Sequence, residues 1–130
     1  MKASYHVNVR DGLIIYTMSG TLTSEGILKV FRAAISDPDW SREFDMMCLF
    51  HNADFSVFSL EEAASFSKAI QALDPAPGES PPIRSALVCP DDLSSALLTF
   101  WEMMGRDERR AIDRIFATEA EARAWLAEPR

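Results

Sequence analysis

The segment HNADFSVFSLEEA, His51 to Ala63, holds the residues of this 130-residue chain best suited to chemistry. It offers an imidazole at His51, a carboxylate at Asp54 and hydroxyls at Ser56 and Ser59. With Cys48 just upstream, His51 and Asp54 could converge at a strand end as part of a metal or catalytic site. A zinc site needs more ligands than that. His6 and His51 are the only histidines, and no H-x-x-H, H-E-x-x-H or C-x-x-C spacing occurs. The chain also lacks a G-x-S-x-G nucleophile elbow, a P-loop and a G-x-G-x-x-G turn. Its acids are numerous but scattered, and paired-carboxylate chemistry depends on a separation across a cleft that no linear spacing supplies. These observations point away from an enzyme. They name no catalytic residue, metal site or cofactor, and leave His51 as an exposed loop residue.

The two serines have a simpler use. Ser59-Leu60-Glu61-Glu62 is S-x-x-E, the pattern in which a serine and a glutamate three residues on satisfy each other's orphan amides at a helix start. Such a cap contributes about 0.5–2 kcal/mol over alanine. A phosphate on Ser59 would gain from the helix N-terminus but would meet Glu61 and Glu62. No basic residue lies between Asp45 and Lys68 to receive it. The favoured reading of Ser59 is therefore the start of a helix, with regulatory phosphorylation at Ser59 or Ser56 as its rival.

Several elements must position this segment. Tyr5, Val7 and Val9 alternate with His6, Asn8 and Arg10, the period of a half-exposed strand, and Asp11-Gly12 predicts a two-residue type I′ hairpin. Leu13 to Ser19 is apolar on both faces, as in an interior strand, and Gly20 breaks that pattern. Thr23 is the predicted N-cap of a helix carrying Ile27, Leu28, Val30, Phe31, Ala34 and Ile35, which Asp37-Pro38 ends. Asp45 to Phe50 reads as a short buried strand, and the helix from Ser59 carries Leu60, Ala63, Ala64, Phe66, Ala69, Ile70 and Leu73. Asp74 to Pro82 is a loop of helix breakers and polar residues. Ile83 to Cys89 is a third inner strand, and a helix from Asp91 or Asp92 runs to about Met104, where Gly105 stops it. Ala111 to Ala117 alternates as a final strand, and Thr118 with Glu121 forms a capping box for a helix bearing Ala122, Trp125 and Leu126.

The order ββαβαβαβα predicts an α/β domain with a mixed, mostly parallel five-stranded sheet, its first strand antiparallel to its second. A chain of this length is most simply one domain. A formal net charge of −7 argues against nucleic acid, whose phosphates require clustered positive charge. No membrane-length apolar run occurs, and the N-terminus has no leader-like segment. Cys48 and Cys89 lie in apolar surroundings and read as buried reduced thiols, which suits a cytoplasmic protein.

Four stretches, DGLIIYTMSGTLTSE, DPDW followed by FDMM, DFSVFSLEEA and RIFATEAEARAWL, span nearly the whole chain. Together they resemble the STAS domains of anti-sigma-factor antagonists, the small bacterial SpoIIAA-like proteins. It implies a βα superhelix and a non-enzymatic regulatory role. It also implies a serine at the start of the second helix that is phosphorylated by a partner kinase, itself the anti-sigma factor, and so releases that partner. The family's motif there reads Asp-Ser-Ser-Gly or Asp-Ser-Thr-Gly. This chain reads DFSVFSLEE, without the glycine, so Ser56 or Ser59 is the residue that would fill the role.

Two further segments bear on binding. Arg106, Arg109, Arg110 and Arg114 are interleaved with Asp107, Glu108 and Asp113, a self-compensated turn rather than a cationic site. In LSSALLTFWEMM, Leu93, Ala96, Leu97, Phe100 and Met104 suffice for one buried stripe, so Leu98, Trp101 and Met103 have to point partly elsewhere. One layer of helices on a sheet has little depth to absorb them. The leading expectation is a protein-interaction or regulatory module that contacts a partner, or a second copy, through Ser59, Leu98, Trp101 and Met103. The alternative is a carrier or sensor of a small apolar, lipid-like ligand, its pocket lined by Trp40, Phe55, Phe58, Phe66 and Phe100.

Overall fold

The structure of the protein is a computed structural model that describes residues 1–57, 59–73, 82–90 and 111–129. In chain order its elements are β1 (Lys2–Asn8), β2 (Leu13–Thr21), α1 (Ser24–Ile35), β3 (Asp45–Asp54), α2 (Leu60–Leu73), β4 (Ile83–Val88), β5 (Ala111–Phe116) and α3 (Glu119–Leu126). The helix expected over 91–104 lies outside the described residues, and with it Leu98, Phe100, Trp101 and Met103. Phe58 is outside them as well.

The five strands form one sheet in the order β1-β2-β3-β4-β5. β1 pairs with β2 antiparallel, and every other neighbouring pair is parallel. This is the mixed α/β sheet that the alternation of strand and helix patterns predicts. No helix among the described residues is long and apolar enough to cross a membrane.

Period-two alternation sends each strand's side chains to two different cores. Ile14, Tyr16 and Met18 of β2, Cys48 and Phe50 of β3 and Leu87 of β4 meet Ile27, Val30, Phe31 and Ala34 of α1 and Phe66 of α2. On the opposite face Leu13, Met47, Ala86, Val88 and Phe116 meet Ala122 of α3, with the half-buried Trp125 and Leu126 beside it. Helices therefore cover both faces, which corrects the expected single helical layer. The physical reason lies in the strands. Met47, Ala86 and Val88 are apolar on the face away from α1 and α2, and an amphipathic last helix is the nearest cover for them. Both cysteines are buried, as predicted.

The hairpin departs from its predicted form. β1 ends at Asn8 and β2 begins at Leu13, so four residues connect them and Val9 is an exposed loop residue. A type I′ turn needs positive φ at both central positions. Gly12 has it at +61°, but Asp11 does not. Asn8 closes the loop instead: its Nδ2 donates to the Asp11 carboxylate at 2.9 Å, and its Oδ1 accepts from the Asp11 amide at 3.2 Å.

Arg84 fixes α3 in place. Its guanidinium donates to the carbonyls of Trp125 at 2.8 Å, Glu128 at 2.7 Å and Pro129 at 3.1 Å. One of these carbonyls belongs to the last turn of α3 and two to the segment just after it, where the negative end of the helix also favours positive charge. The same guanidinium lies 5.6 Å from the centre of the Trp125 ring, which Arg114 approaches at 5.8 Å. Replacing Arg84 with alanine should cost about 2 kcal/mol in chemical denaturation, the range for hydrogen bonds to a charged donor. Arg84→Lys should recover less than half, because an ammonium lacks the fork that reaches three carbonyls. Equal stability of all three proteins would show that α3 docks through its apolar face alone.

Candidate functional site

In parallel α/β sheets, binding groups collect beyond the carboxyl ends of the strands. Here that rim brings together the ends of β2 and β3 and the N-termini of α1 and α2. Its backbone is irregular. Ser19 aligns with His51 but Gly20 aligns with Ala53, so Asn52 is an extra residue, a β-bulge. Asn52 has φ +48°, the one non-glycine residue with positive φ among those described, and Gly20 opposite it has φ +81°. Asparagine and glycine are the residue types that tolerate this region. Gly20 therefore does not end β2, which continues to Thr21, and β3 runs on past Phe50 to Asp54. Beyond the bulge, the Leu22 amide donates to the Asp54 carbonyl at 2.9 Å.

Each helix on the rim starts on a hydroxyl. The Thr23 side chain accepts from the Gly26 amide at 3.0 Å, and that of Ser59 accepts from the Glu62 amide at 3.1 Å. Ser59 is therefore the N-cap that its sequence context predicts. The reciprocal half of the capping box is absent. The Glu62 carboxylate turns to α1 and accepts from the Ser24 hydroxyl at 3.1 Å, joining the two helix starts. Ser56 sits in the intervening turn, with its amide donating to the Asp54 carboxylate at 2.9 Å. That bond, helped by the Ser56 hydroxyl, holds the Asp54 carboxyl below its ordinary pKa.

The electrostatics of this rim are negative. Glu25 stands in the first turn of α1, and Glu61 and Glu62 in that of α2, where they complement the helix dipoles. A phosphate on Ser56 would meet Asp54, and one on Ser59 would meet Glu61 and Glu62. Ser56 and Ser59 are both exposed, and Val57 between them is 45% exposed. The rim thus presents an apolar tip flanked by hydroxyls and carboxylates, a surface fitted to a partner carrying basic and apolar groups.

Other predicted site residues are dispersed. Cys48 is buried against α1 and α2, whereas His51 is exposed, and the alternation of β3 sends the two to opposite faces. No group of three His, Cys, Asp or Glu side chains among the described residues could hold a metal ion. Phe55 and Phe66 are core side chains, 6% and 1% exposed, with Phe55 edge-on to Phe50 at 5.4 Å. Trp40 packs against the same core from the loop after α1, at the other end of the sheet. A groove of about 580 Å³ runs between β1 and α1, lined by Ala3, Tyr5, Gly26, Lys29, Val30 and Ala33 among others. A cavity of about 320 Å³ lies between Asp11–Leu13 and the end of α3. Of the aromatic residues expected around a ligand, the described ones, Trp40, Phe55 and Phe66, line neither. Asn52 went unrecognised in the sequence, and Gly20 read as a break in β2 rather than as part of a bulge; the signal available was a turn-prone asparagine amid a strand-like run.

No family model, no curated protein and no solved structure matches this chain.

Two measurements probe the rim. A methyl group at Gly20 has room, its nearest neighbour being the Met1 backbone at 3.5 Å, so Gly20→Ala should cost only its backbone conformation, about 1–2 kcal/mol. A loss near zero would mean that the bulge relaxes. For Asp54, a folded-state pKa below the unfolded one adds stability above the unfolded value, lost as pH falls through the folded pKa. Ser56→Ala keeps the amide bond and removes the hydroxyl, so the Asp54 carboxyl should titrate at higher pH in a carbon-detected NMR titration. An unmoved midpoint would leave the amide as the whole cause.

Proposed function

We propose that this chain is a regulatory protein-interaction module of the anti-sigma-factor-antagonist kind, with a STAS-like βα superhelix, which binds a protein partner through the rim from Ser56 to the start of α2. The observation that carries this reading is the exposed Val57 beside the exposed Ser56, whose amide is bonded to the Asp54 carboxylate, and close in sequence to the exposed Ser59 that caps α2. Bonds that already order such residues lower the cost of a contact made through them. The acidic surroundings favour a partner with basic groups, which would be drawn to the rim before contact.

Ser59 serves first as the cap of α2 in this reading; the switch that the resemblance implies is its rival, and the exposed hydroxyl that supports the first turn through the Glu62 amide is where it would act. A phosphate there would add charge beside Glu61 and Glu62 and beside the partner's contact, which suits release rather than recruitment. Leu98, Trp101 and Met103, expected from the sequence to share in the contact, lie outside the described residues. The carrier reading gains nothing from Phe55 and Phe66, which are occupied in the core.

The test is an affinity capture from the native host with the wild-type chain and with Val57→Glu. A prey protein held by the first and lost by the second, with unchanged circular dichroism, supports the rim as the contact. An identical prey set for both proteins removes it. Intact mass of the chain isolated from that host then reports on the switch: a phosphate adduct that maps to Ser59 supports it, and a uniformly bare chain under all growth conditions sinks it.

A further inference from the structure

The sheet has two edges, and they differ in a way that assigns a role to one of them. β5 carries Asp113 and Arg114 at its centre, the kind of charge that discourages strand addition. Among the described residues, β1 has fewer of the usual protections. Its seven residues, KASYHVN, contain no proline, its pairing with β2 runs without a bulge, and its only charged residue is Lys2 at one end. Residues 2–4 and His6 are exposed. Alongside this edge lies the groove of about 580 Å³, where Gly26, Lys29, Val30 and Ala33 make an i, i+3, i+4, i+7 stripe of mostly small side chains on α1.

We infer that this edge pairs with a second copy of the same chain, β1 antiparallel to β1 about a two-fold axis at Tyr5. The register follows from the strand itself. With Tyr5 opposite Tyr5, all seven residues overlap: Lys2 faces Asn8, Ala3 faces Val7 and Ser4 faces His6. Moving the axis to His6 sets Lys2 against Arg10, and moving it to Ser4 sets Lys2 against His6 and shortens the overlap.

In the Tyr5-centred register the charges are complementary. The Asn8 side chain holds the Asp11 carboxylate at 2.9 Å, so the ammonium of Lys2 from one copy meets an Asn8–Asp11 pair on the other, twice by symmetry. Ala3 and Tyr5 of β1 and the α1 stripe would close over each other above the sheet, covering the groove from both sides. Tyr5 is already fixed for this, with its hydroxyl donating to the Asp37 carboxylate at 2.9 Å. Two five-stranded sheets become one of ten strands, and both β1 edges disappear.

Sedimentation velocity of the full chain across a concentration series tests this. The wild type should dimerise. Lys2→Glu and Asp11→Lys should each weaken the dimer on the order of tenfold, two symmetry-related exposed pairs being lost at once. The double substitution should restore it. Because Asp11 also closes the hairpin loop, an independent readout is needed. His6→Cys, the only accessible thiol beside buried Cys48 and Cys89, should cross-link to a covalent dimer with a short bismaleimide. Ile112→Cys on the opposite edge should not. A wild-type monomer at its highest soluble concentration overturns the inference. So does a dimer indifferent to both charge substitutions, or one cross-linked through Ile112→Cys. Protection of β1 only when another protein is added would give the edge to a different chain, and likewise overturns self-pairing.

Discussion

Asp45 and Arg84 stitch together the amino-terminal end of the sheet, and the other layers depend on that stitch. Asp45 opens β3, is 7% exposed and donates its amide to the Gly12 carbonyl at the start of β2, at 3.0 Å. Its carboxylate accepts from the Arg84 amide at the start of β4, at 2.9 Å. Arg84 then reaches from β4 to a carbonyl in the last turn of α3 and to two in the segment after it. One chain of hydrogen bonds thus runs from the hairpin loop through three parallel strands to the C-terminal helix. A buried carboxylate is tolerable only when its lone pairs are used, and here they set where the neighbouring strand starts. Without Arg84, α3 would hold its place by Ala122, Trp125 and Leu126 alone.

The opposite end of the sheet is built on a different plan. Where the amino-terminal rim is closed by charge-assisted bonds, the carboxyl-terminal rim carries a bulge, two positive-φ residues and two hydroxyl-capped helices. Such irregular backbone persists only where the surroundings over-determine it. The Leu22–Asp54 backbone bond and the Ser24–Glu62 side-chain bond supply that determination. The result is a rigid base under an exposed turn, and that contrast between fixed support and accessible tip is what a recognition surface requires. It also explains the division of the acids: Asp45 is interior and structural, whereas Asp54 and Glu61 remain at the surface.

Periodicity made the layers legible, and chemistry at single residues did not. Elements whose side chains alternate or recur every third and fourth position, such as Ala111 to Ala117 or Ile27 to Ala34, could be placed because burial itself imposes the period. The caps at Thr23, Ser59 and Thr118 were legible for a related reason, since the orphan amides of a helix start admit few side chains. What lay beyond the sequence was pairwise and long-range. Nothing local announces that Glu62 serves Ser24 rather than Ser59, that Asn8 rather than a type I′ turn closes the hairpin, or that Arg84 caps a helix more than forty positions away. The side of the sheet taken by α3 was hidden likewise, because two-faced apolarity in β3 and β4 says that a cover exists without saying which helix provides it. Phe55 and Phe66 were as suited to a pocket as to a core until their neighbours were known.

Strand polarity ties the two binding surfaces together. In a dimer paired through β1, the strands of the two copies run in opposite directions, so the carboxyl-terminal rims face opposite ends of the joined sheet. Each rim starts from its own β3 and α2, two strands inward from the axis, and β1 pairing leaves both exposed. Such a dimer cannot grip one partner with both rims, so it gains no avidity on a single surface. Instead it holds two partners apart, each addressed independently. A phosphate on one Ser59 would then release one partner and leave the other bound, giving a graded response rather than an all-or-none one. Coupling between the rims has two routes, the β1-β2-β3 ladder and the bond from Tyr5 to Asp37, which links the paired edge to the turn just after α1.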